Sequence, residues 1–88
     1  MRWTVKLSEH AARTIEKLDK PHRDRIRRFL REELSGLDDP RAKGKPLQGG
    51  LRGLWRYRVG DYRIVCEIRG HEFVVLVVKI GHRRDVYR

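Results

Sequence analysis

Hydrophobic residues recur along this chain with two periods, and the places where the period changes mark its elements. Trp3, Val5 and Leu7 alternate with polar residues, which predicts a first strand. Ala11, Ala12, Ile15 and Leu18 then recur at helical spacing. Ser8 is placed to cap that helix, and Glu9 sits in the first turn, where the dipole favours an acid. Asp19-Lys20-Pro21 breaks the stripe, and Pro21 suits the first turn of a second helix. Ile26, Phe29, Leu30, Leu34 and Leu37 make that helix's apolar face. Arg23, Arg27, Arg28 and Arg31 fall largely off it and read as a solvated surface, with contact to a large nucleic acid as the alternative.

Alternation returns at Trp55. Aromatic and β-branched residues run to Ile68 and are divided by Gly60-Asp61, a pair suited to a two-residue hairpin turn of type II′. That turn sets Val59 opposite Tyr62, Arg58 opposite Arg63, Tyr57 opposite Ile64 and Arg56 opposite Val65. Trp55, Tyr57, Tyr62, Ile64, Cys66 and Ile68 then share one face, and Arg56, Arg58 and Arg63 share the other. Gly70-His71 predicts a further tight turn, placing Phe73, Val75 and Val77 with the apolar face. The run from Phe73 to Ile80 is apolar enough for a central strand covered on both sides. Residues 41–53 show no period and read as a surface loop, tacked to the core by Leu47 and Leu51. The expectation is one α+β domain over residues 1–88, of order β-α-α-β-β-β, with a small antiparallel-rich sheet and two helices packed on one face.

Charge sharpens this picture. The 88 residues carry a net charge of +10. Residues 1–40 hold 10 basic and 8 acidic residues, whereas residues 41–88 hold 12 and 4. The excess therefore gathers around the hairpin and the end of the chain, and a field of that sign captures polyanions. One cysteine, Cys66, excludes an internal disulfide and a CxxC metal pattern, and its place between Ile64 and Ile68 predicts a buried thiol. No apolar run is long enough to span a membrane. These features lead us to expect a cytoplasmic protein without a cofactor or metal.

Like charges directly opposite each other on a sheet are destabilising, so three arginines on one open face imply an anion. An RNA phosphate fits best. RNA supplies its own nucleophile, the 2′-hydroxyl, and guanidinium groups can neutralise the charge that develops at phosphorus. Arginine is a poor base, being essentially always protonated. Of the four histidines, His82 alone falls near the arginines, and no His pair is evident. Plainer roles stand beside these. Arg63 can pair with Glu67, Arg56 and Arg58 can cover Val65 and Leu76 with their stems, and Tyr87 can close a sheet edge.

The stretches Leu54-Trp55-Arg56-Tyr57-Arg58-Val59-Gly60-Asp61-Tyr62-Arg63-Ile64-Val65 and Val78-Lys79-Ile80-Gly81-His82-Arg83-Arg84-Asp85-Val86-Tyr87 resemble the RelE family of toxins from prokaryotic toxin–antitoxin pairs. Leu18-Asp19-Lys20, Asp39-Pro40-Arg41 and Gly44-Lys45-Pro46-Leu47 agree. The resemblance implies a microbial-ribonuclease-like fold and cleavage of messenger RNA in the ribosomal decoding (A) site, giving a 2′,3′-cyclic phosphate and a free 5′-hydroxyl. It implies catalytic roles for Arg56, Arg58, Arg63, Arg83 and Tyr87, with Tyr87 stacking on a base. His82 is a candidate for proton transfer, since arginine stands at Arg56 and Arg58 where relatives often have lysine. Arg41, Lys43, Lys45, Arg52 and Arg84 are candidate RNA contacts. An acidic RelB-like antitoxin is the implied partner. Two alternatives stay open: a ParE-like toxin directed at DNA gyrase, and a non-catalytic RNA-binding module.

Overall fold

The computed structural model describes residues 3–51 and 53–82. Strand β1 (Thr4–Leu7) leads into helix α1 (Glu9–Lys17) and helix α2 (Lys20–Arg28). After two short 3-10 turns and the two-residue strand β2 (Lys45–Pro46) come β3 (Leu54–Val59), β4 (Tyr62–Arg69) and β5 (Val74–His82). The sheet order is β1-β5-β4-β3-β2, with β1 parallel to β5 and the other pairs antiparallel. Both helices lie on one face. Ala11, Ile15, Ile26, Leu30 and Leu34 meet Tyr57, Ile64, Cys66, Val75, Val77 and Ile80 in a single buried cluster.

The hairpin register is the one the alternation predicts, from Val59 opposite Tyr62 to Arg56 opposite Val65. Gly60 has φ +60 while Asp61 stays at negative φ, which is the pattern of a type II′ turn. Ser8 caps α1 by accepting from the Ala11 N–H at 3.0 Å. The Ser8 hydroxyl also donates to the Val78 carbonyl at 2.9 Å, and its own N–H donates to the Val77 carbonyl at 2.8 Å. There β5 bulges. Val65 pairs with Lys79 but Cys66 pairs with Val77, leaving Val78 as an extra residue. The bulge shifts parity, so Val75, Val77 and Ile80 all reach the core while Lys79 crosses to the far face.

Four features depart from the sequence expectation. The second helix continues past Arg28 as a π-helical segment, Phe29–Leu34, which keeps Leu30 and Leu34 buried. The loop at 41–53 contains β2 and two 3-10 turns, so its backbone is partly paired. Gly70 to Glu72 form a 3-10 turn, because pairing of Arg69 with Val74 leaves four residues to connect. Phe73 therefore sits at φ +53, is 41 % exposed, and rests on Trp3 with ring centres 5.2 Å apart instead of joining the core. Finally, helices cover only one face of β5.

Burial pushes the Cys66 thiol from 9.0 up to about 12. Between those values the folded chain keeps a proton that the unfolded chain loses, so stability is full below pH 9 and falls as pH rises through the window. Denaturation midpoints followed from pH 9 upward should fall less steeply for Cys66→Ala than for the parent protein. Equal slopes would contradict this account of the thiol.

Candidate nucleic-acid interface

Cross-strand pairing lines up the basic side chains on the face without helices. Lys45, Arg56, Val65 and Lys79 form one row across four strands, and Arg58, Arg63 and Gly81 form the next. Val65 is only 3 % exposed on this face. Its cross-strand neighbours on either side are Arg56 and Lys79, residues with long aliphatic stems that can cover an apolar side chain. The Arg56 Nε is itself buried with no hydrogen-bond partner among the described residues. Arg63 lies half-buried between Arg58 and Gly81. Glu67 gives its carboxylate to Arg69, at 2.8 Å.

Tyr57 positions the basic loop beside this face. Its hydroxyl donates to the Pro40 carbonyl at 2.7 Å and its ring meets Phe29 at 5.8 Å. Burial holds the phenol protonated far above its ordinary range. Gly44 lies flat on the same ring, since a Cβ there would stand 3.0 Å from the Tyr57 Cζ. Beyond it Lys45 pairs with Arg56, and the Leu47 N–H donates to the Leu54 carbonyl at 2.9 Å. Lys43, Lys45, Arg56 and Arg58 consequently line a cavity of about 240 Å³, with no carboxylate among the described residues that line it. Like charges packed this closely oppose folding, and an anion would relieve them.

Other sequence candidates are placed elsewhere. Arg41 turns away from Lys43 and Lys45. Its N–H and its guanidinium meet the Asp39 carboxylate at 3.0 Å and 3.5 Å, and it joins Glu67, Arg69 and Glu72 around a separate cavity. His82 is on the helix side, edge-on to Tyr62 at 5.9 Å, and Tyr62 also meets His22 at 5.2 Å. The bulge at Val78 is the reason: it sends Lys79 to the arginine face and His82 to the opposite one. Lys79 was not among the sequence candidates. The signal available was a lysine between Val78 and Ile80, out of step with strict alternation. Arg52, Arg83, Arg84 and Tyr87 lie outside the described residues. Among the described residues no cluster of His, Cys, Asp or Glu is arranged to hold a metal ion, and no helix is long and apolar enough to cross a membrane.

A five-stranded mixed sheet with two helices on one face is a RelE-like fold. The structure matches the toxin–antitoxin complex RelBE2 of Mycobacterium tuberculosis with a TM-score of 0.86 and 29 % identity, over 94 % of this chain and 100 % of that one. It matches the archaeal RelE–RelB complex of Pyrococcus horikoshii OT3 with a TM-score of 0.74 and 28 % identity, over 98 % and 100 %. The family described as the ParE toxin of the type II toxin–antitoxin system parDE matches residues 5–87. The toxin RelG of Mycobacterium tuberculosis is 32 % identical over 88 residues, 100 % of this chain and 99 % of the relative. This chain belongs to that family of type II toxin–antitoxin toxins and is RelE-like within it.

The close approach at Gly44 yields a test of how the loop is held. Gly44→Ala should cost about 1–3 kcal/mol, as overpacking does, and should speed hydrogen exchange at the Leu47 amide. Gly50→Ala, where a Cβ meets nothing within 4 Å, should stay within about 0.5 kcal/mol of the parent. Equal effects from the two substitutions would mean that Tyr57 does not fix the loop.

Proposed function

We propose that this toxin is a ribosome-dependent messenger-RNA endoribonuclease, with the face bearing Arg56, Arg58 and Arg63 as its working surface. The observation that carries the reading is the cavity lined by Lys43, Lys45, Arg56 and Arg58, with no carboxylate among the described residues of its lining, beside the row that ends in Lys79. In the reaction the 2′-hydroxyl oxygen attacks phosphorus, the bond to the 5′-oxygen breaks, and the products are a 2′,3′-cyclic phosphate and a 5′-hydroxyl. The 2′-hydroxyl proton passes to solvent or to ribosomal RNA, and the 5′-oxygen takes one from an ammonium group of this face. Arg56 and Arg63 bind the non-bridging oxygens, where charge grows. With His82 turned to the helix side, the ammonium groups of Lys45, paired with Arg56, and of Lys79, across Val65 from it, are the proton donors of this face. Arg83 and Tyr87 keep the roles that the resemblance implies. Among the described residues no His–carboxylate pair stands ready to activate the nucleophile, so in-line alignment of the message comes from the ribosome. Action there places the protein in the cytoplasm.

The partner is an acidic RelB-like antitoxin, in keeping with the toxin–antitoxin complexes among the structural matches. A groove of about 370 Å³ floored by Val5, Leu7, Ile15 and Leu30 and rimmed by Arg27 and Arg31 supports this, because an amphipathic acidic segment complements both floor and rim. The family description also names ParE, so gyrase inhibition is the second reading.

Mapping new 5′ ends after incubation with translating ribosomes separates the two. New ends should appear on ribosome-bound message and not on free message at equal concentration. Arg63→Ala should lower cleavage ~100-fold or more, the usual loss when a donor to developing charge is removed, with an unchanged thermal melt. Intact messages together with blocked gyrase supercoiling would replace this reading with the ParE one. Equal cleavage of free message would remove the ribosome from it.

A further inference from the structure

Two exposed arginines of α2 border a cleft. Arg25 and Arg28 line a cleft of about 400 Å³ together with Lys43 from the loop and Arg58 from β3. Phe29, Tyr57 and Val59 wall the cleft, and Glu33 is the single acid among the described residues of its lining. It opens at the edge of β3 that β2 leaves uncovered, since β2 pairs only with Arg56 and Trp55. Arg25 reaches the hairpin tip, where a Cβ on Gly60 would meet its guanidinium at 2.9 Å. Ion pairs elsewhere on the surface, such as Glu9–Arg13 and Lys20–Asp24, show that cations here do find carboxylates. Arg25, Arg28, Lys43, Arg58 and Glu33 form no ion pair with one another or with any other described residue. Four cations around one cleft, with no ion-pair partner and one carboxylate among the described residues, are arranged for an external anion.

We propose that this cleft is a second RNA site, and that it takes the phosphates of the same single strand whose scissile bond lies on the open face. The proposal rests on the open face being the RNA-binding one. Continuity favours it: Lys43 and Arg58 line both this cleft and the open-face cavity, so a strand leaving one enters the other around the edge of β3. Size favours a single strand over a duplex, because the volume suits a nucleotide-sized group (ligand pockets run to ~300–1,000 Å³). The wall suits it as well. Phe29 offers a half-buried ring on which a base can stack, and Glu33 offers an acceptor for a base amino group. Arg25 and Arg28 thus hold nucleotides beside the cut and set where the message enters the site.

The test compares Arg25→Ala/Arg28→Ala with Arg13→Ala/Lys17→Ala, which makes the same change of charge on exposed positions of α1. Each protein is titrated with a non-cleavable 2′-O-methyl single-stranded RNA across a range of salt, and thermal melts check folding. The cleft variant should bind about tenfold more weakly, with a salt slope shallower by about 1.4, two phosphates at ~0.7 each. The α1 variant should stay close to the parent, and Arg25→Lys/Arg28→Lys should restore most of the slope. An unchanged cleft variant, an equal loss in the α1 variant, or no measurable binding by the parent would overturn the proposal. So would a loss seen with an RNA duplex but not with the single strand. Because this assay needs no cleavage, its failure and the failure of the ribonuclease reading are separately visible.

Discussion

One serine hydroxyl and one extra residue hold the two faces of this toxin apart. Ser8 ends β1, starts α1, and ties both to the carbonyl of Val78, the bulged residue of β5. Without the extra residue, alternation along β5 would carry Lys79 under the helices and Ile80 onto the open side. Burying an unpaired ammonium among Ile15, Cys66 and Val77 would cost far more than the bulge does. The bulge therefore keeps the core dry. By the same shift it adds a lysine to the arginine face and takes His82 away from it. Packing and site chemistry are settled by one local irregularity.

The basic face is a compromise of the kind expected of a binding surface. Arg58 opposite Arg63 and Lys45 opposite Arg56 are unfavourable pairs in the free protein. The core on the other side of the sheet can bear them. Ile64, Cys66, Val75 and Val77 are fully buried, and burial of an Ile or Val side chain contributes about 1.5–3 kcal/mol. The loop that brings Lys43 and Lys45 alongside is held by a buried phenol bonded to a backbone carbonyl, and by a glycine whose missing side chain lets the backbone lie on the ring. Charge is thus concentrated at a place where the scaffold is rigid, which suits tight placement of a phosphate.

Much of this was legible in the sequence. The Gly60-Asp61 turn fixed the hairpin register, and with it the facing of Arg56, Arg58 and Arg63, because a two-residue turn leaves no freedom in pairing. Ser8 and Pro21 marked the helix starts for equally local reasons. The bulge was hidden. Val74 through Val78 are all apolar, so an inserted residue leaves no mark in the pattern until Lys79 breaks it. The π-helical segment was hidden for a similar reason, since Ile26, Leu30 and Leu34 fit an α-helical stripe as well. Long-range placement was also out of reach. Arg41 is close to Lys43 in sequence but turns to Asp39 and the β4–β5 end of the sheet. Arg28 looks solvated on its helix and becomes a cleft residue only when β3 packs beside it.

The central claim is that RNA lies on the sheet face opposite the helices. It is tested most directly by titrating ¹⁵N-labelled protein with a short RNA carrying a 2′-deoxynucleotide at the cut position, and following the backbone amides by NMR. The account predicts that the largest shifts cluster on β3, β4 and β5 around Arg56, Arg63 and Lys79 and run into the loop at Lys43 and Lys45. Shifts confined to α1 and the outer edge of β1, with Arg56, Arg63 and Lys79 unmoved, would contradict it.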